Sequence, residues 1–128
     1  MSSVEMPLSV AAALPSLAVF DITNEVSRAI EAGEAKAGIA YVAAASPTSV
    51  VRVTEREAGF FHDFEAMLER LVPPDTAERE KLIIALLGSR AEQIPFIDRR
   101  LCLGQWQRVL LFGFNGDASA VFTLTLLG

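Results

Sequence analysis

The 128-residue sequence predicts an α+β fold: a largely antiparallel sheet or sandwich with two to three helices on one side of it. Three observations point there. Apolar and amphipathic segments follow one another in the order β, α, ββ, αα, βββ. Pro73 and Pro74 separate two helical patterns, and Asn115-Gly116 stands between two apolar runs, where both residues tolerate positive φ and a hairpin turn is favoured.

The elements follow in order. Alternation over Val4–Val10, VEMPLSV, suits a strand, with Pro7 pushing it towards a sheet edge because proline has no N–H to donate. DITNEVSRAIEAG, Asp21–Gly33, reads as a helix: Asp21 or Thr23 can cap it, Ile22, Val26, Ala29 and Ile30 share a face, and Gly33 can end it. Ala37–Ala45 is a strand of small buried residues, and SVVRVTE, Ser49–Glu55, continues as a second strand after the break at Pro47. In Arg56–Val72 the residues Phe60, Phe64, Met67, Leu68 and Leu71 recur on one side at about 100° per residue, a core stripe.

Pro73 and Pro74 stop that helix, since the ring cannot continue the hydrogen-bond ladder. Asp75 and Glu78 form a capping box for a third helix over Ala77–Gly88; its Leu82–Leu87 portion is apolar all round and therefore expected to be buried, with Gly88 closing it. The rest reads as strands: Ile94–Leu103, Trp106–Phe114, the Asn115-Gly116 turn, and Ala118–Leu127. Gly113 and Gly116 are strand and turn glycines, not a phosphate loop.

The length suits one domain, 1–128, burying roughly two-thirds of its unfolded surface. Hydrophobic residues make up 52% of the chain and charged residues 21%, too little polar material to cover a monomer, so the composition points to an oligomer. A net charge of −5, without any cluster of Lys and Arg among aromatics, speaks against nucleic acid. The single cysteine, Cys102, offers neither an internal disulfide nor metal-ligand spacing; it reads as a small buried hydrophobe rather than a nucleophile, in a cytoplasmic protein. Met6–Phe20 is apolar like a signal peptide, yet no Lys or Arg precedes Arg28 and Pro7 and Pro15 interrupt it, so it is expected to form an opening strand and a loop. No window reaches the length of a membrane span.

The one histidine, His62, lies about 160° from the Phe60, Phe64 and Leu68 stripe, on the solvent face. Without a second His or Cys beside it, no zinc or other metal site is assigned. Two carboxylates are candidates: Glu55 ends a strand, and Asp63 sits at the edge of the helical stripe, where it can reach a pocket rim. The alternative is that both are ordinary acids in water. Gln107, next to Trp106 at a strand start, can add an amide and a ring to the same rim.

The ordered series Asp21-Ile22-Thr23, the SPTSVVRVTE segment Ser46–Glu55, an Asp on the next helix, Leu86-Leu87-Gly88, Ile94-Pro95-Phe96 and Leu103-Gly104-Gln105-Trp106-Gln107 resembles the YjbQ-type family, also called the secondary thiamine-phosphate synthase family. The resemblance covers nearly the whole chain. It implies an α+β subunit that forms a homotrimer with sheets packed around the threefold axis. In the family the SPTSVVRVTE segment reads His-Thr-Thr/Ser-Ala and ends in Asn-Glu. Here Ser46 replaces the His, Thr48 keeps a hydroxyl, Thr54 replaces the Asn and Glu55 retains the Glu. Asp63 matches the helical Asp across a one-residue gap, and Lys81 stands at a second family His. Asp117, Ala118, Ser119 and Ala120 fill the place of basic residues in the last hairpin, so the family site has lost both histidines and an arginine.

Histidine gives and takes protons near neutral pH, and serine replaces it in neither role without a base beside it. The first expectation is therefore a degenerate member whose catalysis is lost or reduced, binding a small anionic, phosphorylated ligand and needing no cofactor. The second is an active thiamine-phosphate-synthase-type enzyme with a rebuilt, magnesium-dependent site. There Glu55 acts as base or metal ligand, Asp63 orients it, Lys81 or Arg100 holds phosphate, and Gln107 positions the substrate, with Ser46, Thr48 and Trp106 completing the ligand set. Lys81 reads equally as a helix salt-bridge partner. The third is a purely structural oligomeric subunit.

Overall fold

Strand register, more than helix packing, organises the molecule. The structure is a computed structural model that describes residues 2–4, 17–114 and 120–128. Its elements are β1 (Ser2–Val4), β2 (Leu17–Asp21), α1 (Thr23–Ala32), β3 (Gly38–Ala44), β4 (Ser49–Glu55), α2 (Ala58–Leu71), α3 (Arg79–Leu87), β5 (Ala91–Ile97), β6 (Arg100–Leu101), β7 (Gln107–Phe114) and β8 (Ala120–Leu127). Among the described residues they form two antiparallel sheets, one of five strands in the order β1-β8-β3-β5-β6 and one of three in the order β2-β7-β4. The α+β class is as the sequence predicts.

The period of two decides where each strand residue goes. On β7, Val109 and Leu111 join Phe20, Val51, Ala40, Val42, Ile94, Phe96 and Phe122 in a core between the two sheets. Their neighbours Leu110 and Phe112 face the other way and pack with Val19, Val50, Phe61, Leu68, Val72 and Ile83. Strand β7 is thus buried on both faces, with Val109, Leu110, Leu111 and Phe112 all at most 2% exposed. Burial of each such side chain is worth about 1.5–3 kcal/mol. Inside the five-stranded sheet, a Cβ on Gly38 would overlap the Leu127 carbonyl oxygen, so only glycine lets β3 and the end of β8 approach as they do.

Several expectations are corrected. The helices do not share one side: α1 gives Val26 and Ile30 to the core between the sheets, whereas α2 and α3 cover the outer face of the three-stranded sheet. Leu17–Asp21 is a strand where the sequence suggested a loop leading into a helix, because Val19 and Phe20 each have a core to fill. Asn115-Gly116 lies outside the described residues, as do residues 5–10 of the predicted first strand, but β7 and β8 pair with different neighbours in different sheets and form no simple hairpin. The tight hairpin falls instead between β5 and β6, where Asp98 and Arg99 take φ of 52° and 61°. Helix α3 has Glu78 in the N-cap position at φ 56° with no side-chain cap, so the Asp75/Glu78 capping box is absent; Gly88 does close it, at φ 73°. Nor is α3 buried all round, since Leu82 and Leu86 are 46% and 55% exposed and only Ile83 is buried. In α2 the predicted stripe is a core face only in part: Leu68 is buried with Phe61 and the C-cap Val72, and Phe64 packs against them, but Phe60, Met67 and Leu71 stay exposed. Cys102 is exposed rather than buried.

Candidate functional site

Strands β2, β4 and β7 bring a set of polar side chains to one end of the three-stranded sheet. The register sets Thr54 opposite Arg108 and Glu55 opposite Gln107, while Asp21 faces Leu110, one diagonal step from Arg108. Asp21 Oδ2 accepts a 2.8 Å hydrogen bond from Arg108 Nε and lies 3.5 Å from Arg56 Nη1; Oδ1 accepts the Thr23 N–H at 3.0 Å. Thr23 Oγ1 in turn accepts the Val109 N–H at 2.8 Å, and Arg108 reaches Asn24 Oδ1 at 3.4 Å. Burial alone would push the Asp21 carboxyl up, but the hydrogen bonds from Arg108 and Thr23 and the guanidinium charge outweigh it and hold the pKa below the ordinary 3.8. A carboxylate so engaged is a poor proton acceptor. It ties α1 to β7.

Beside this cluster, on the same face of the sheet, a cavity of about 550 Å³ opens between α2, α3 and β4. Its walls are apolar: Phe60, Phe64, Met67 and Leu71 from α2, Leu86 and Leu87 from α3, with Phe112 behind. Three polar side chains share it, Arg52 and Thr54 from β4 and Asp63 from α2. Alternation explains the first two, which follow Val50 on the helix-facing side of the strand. Arg52 Nη1 donates to the Leu87 carbonyl at 3.2 Å, satisfying a terminal carbonyl of α3, and no described carboxylate pairs with it. The entry to α2 is fixed by Glu57, whose carboxylate accepts the N–H groups of Gly59 and Phe60 at 2.8 and 2.9 Å.

Of the residues the sequence singled out, Asp63 lines this cavity, together with Thr54. Glu55 is exposed, adjacent to Thr54 but outside the lining. Ser46 and Thr48 form the turn before β4, their hydroxyls 2.8 Å apart; with the six steps of Ser49–Glu55 between, they stand about 20 Å from Glu55. Lys81 bonds Glu78 Oε1 at 3.0 Å in the first turn of α3, and Arg100 is exposed on β6 in the other sheet. Trp106 is 70% exposed, while Gln107 Oε1 accepts the Gly104 N–H at 2.8 Å and closes the turn into β7. Within one chain these groups do not converge. His62 is exposed and outside the lining, and among the described residues no three His, Cys, Asp or Glu gather as a metal site.

Sequence reasoning assigned no role to Arg52, Arg56 and Arg108. A signal was present for two of them: Arg52 in SVVRVTE and Arg108 in WQRVLLF are the single cations of strand segments built around apolar residues. What the sequence does not print is the pairing across 87 residues that gives Arg108 its partner.

A family model described as UPF0047 protein YjbQ-like matches residues 14–128. A UPF0047 protein of Archaeoglobus fulgidus is 30% identical over 107 residues, spanning 77% of this chain and 82% of that protein. One of Methanothermobacter thermautotrophicus is 26% identical over 118 residues, spanning 86% and 82%. Among solved structures, an uncharacterized conserved protein of the YjbQ/UPF0047 family from Clostridium acetobutylicum superposes with a TM-score of 0.80 at 19% identity, over 99% of this chain and 100% of that one.

Proposed function

The chain belongs to the UPF0047 protein YjbQ-like family, and we propose that within it this protein is a cytoplasmic homotrimer that binds a small anionic ligand, with catalysis lost or reduced. The observation that carries the reading is the cavity between α2, α3 and β4, which has a cation, Arg52, in its wall and the chain's one histidine outside its lining. The acid in the lining, Asp63, is exposed. A proton relay near neutral pH has no imidazole to work with there.

The trimer is supported by the outer face of the five-stranded sheet. Ile39, Tyr41, Ile97 and Leu127 stand there 41%, 37%, 59% and 56% exposed, and Ile39 has Pro95 and Leu127 as its cross-strand neighbours. An uncovered apolar row of this kind favours association. Assembly would also give Ser46 and Thr48 of one copy a chance to meet Glu55 of another, which a single chain holds about 20 Å away.

A second reading, a rebuilt thiamine-phosphate-synthase-type enzyme, is favoured by the register that sets Glu55 against Gln107. It needs magnesium, brought by the diphosphate of the substrate rather than by a protein carboxylate cage. One experiment separates the readings. The purified protein is mixed with the pyrimidine diphosphate, the thiazole phosphate and magnesium, and its melting is followed with phosphates, nucleotides and thiamine precursors. We expect a raised Tm with at least one anion and no thiamine phosphate above a no-protein control. Product that disappears in Glu55→Ala would establish the enzyme instead, and no change in Tm with any compound would leave a structural subunit.

A further inference from the structure

We infer that the cavity between α2, α3 and β4 takes an amphipathic acid, a molecule with an apolar body and an anionic head, carboxylate or phosphate, held by Arg52. The inference rests on the small-anion reading above and narrows it to a chemical class. A volume of about 550 Å³ lies within the usual range for bound small molecules, about 300–1,000 Å³. The walls set the body. Phe60 and Phe64 lie nearly parallel, 7° apart with centroids at 6.1 Å. Around the opening Phe60, Met67, Leu71 and Leu86 are 36%, 41%, 60% and 55% exposed. A purely polar phosphate would leave that surface in water, whereas an apolar body removes it.

The head follows from charge. Arg52 is the one cation of the lining and Asp63 the one anion, so the cavity carries no net positive charge to hold a bare dianion. With Nη1 on the Leu87 carbonyl, the Arg52 guanidinium is anchored and has further N–H donors to offer a forked oxyanion, and Thr54 adds a hydroxyl two residues along the same face. Attraction at Arg52 thus selects the head, and the apolar walls supply the affinity.

The test is isothermal titration calorimetry on the full chain with hexanoate, octanoate, decanoate, decyl phosphate, decanol and inorganic phosphate. Affinity is expected to rise about two- to fourfold per methylene from hexanoate to decanoate. Arg52→Met should weaken decanoate and decyl phosphate about tenfold and leave decanol unchanged. Leu86→Trp, which fills the cavity from an exposed position, should abolish binding without lowering Tm, a control should Arg52→Met loosen the end of α3. Decanoate binding no tighter than hexanoate, or Arg52→Met leaving the acids unaffected, would overturn the inference. If inorganic phosphate binds and the acids show no dependence on chain length, the amphipathic class is wrong while the small-anion reading stands. Binding by none of them, with no melting shift from any anion, overturns both.

Discussion

At Asp21 both carboxylate oxygens are engaged, one by Arg108 and Arg56 and the other by the Thr23 N–H, and the side chain is only 7% exposed. Removing the charge leaves Arg108 without its carboxylate partner at the junction of α1 and β7. Asp21→Asn is therefore expected to lower stability by about 2–4 kcal/mol at pH 7, read by urea unfolding. The sign with pH follows from the depressed pKa. The stabilisation is complete above the unfolded value of 3.8 and disappears as pH falls through the lower folded value, so the gap between wild type and Asp21→Asn should close in acid. A gap that stays constant down to the acid limit would show that the charge is not its source. In the sequence Asp21 is visible as a polar residue at the start of a helix, since its short side chain can satisfy a free N–H, and the Thr23 N–H does use it. Its guanidinium partner is invisible because ion pairing across strands depends on register, which no local pattern carries.

Glu57 anchors α2 by accepting two of the free N–H groups of its first turn. Glu57→Ala is expected to cost about 1 kcal/mol, a fall of about 3–5 °C in Tm by differential scanning calorimetry. An unchanged Tm would mean that water caps the helix equally well. The extent of α2 was readable from its periodicity and from Pro73 and Pro74, but its buried face only in part, through Phe64 and Leu68. Phe60, Met67 and Leu71 wall the cavity, Phe61 and Val72 pack against the sheet, and Phe64 and Leu68 do both. The helix carries two apolar faces side by side, and spacing alone does not rank them. Likewise, the apolar run of α3 reads as a buried helix because hydropathy records how apolar a residue is and not whether a neighbour covers it; Leu82 and Leu86 are uncovered in the single chain. Asp63 was legible as a rim residue for the plain geometric reason that it sits at the stripe's edge, whereas Arg52 required knowing which face of β4 meets the helices.

For the whole molecule, the exposed row on the five-stranded sheet makes the oligomeric state the measurement of choice. Sedimentation equilibrium is expected to give a trimer, and Ile39→Lys combined with Leu127→Lys is expected to shift it to monomer, since both positions lie side by side on that face. A wild-type monomer at micromolar concentration would remove the trimer from the proposal. Composition already hinted at an uncovered apolar surface, and the α+β class was legible from the order of elements. The division into two sheets was not, because β3 and β4, and again β7 and β8, are neighbours in sequence and partners of other strands in space. That division governs how the chain is made. Strands β2 and β4 have β7 as their shared partner, so at about 5–20 residues per second the ribosome leaves the finished β4 without a mate for roughly 3–12 s, until Gln107–Phe114 is synthesised. In the larger sheet β3 and β5 can pair early, whereas β1 must wait for β8. The timetable of translation thus makes the larger sheet a seed and β7 the strand that completes the smaller one.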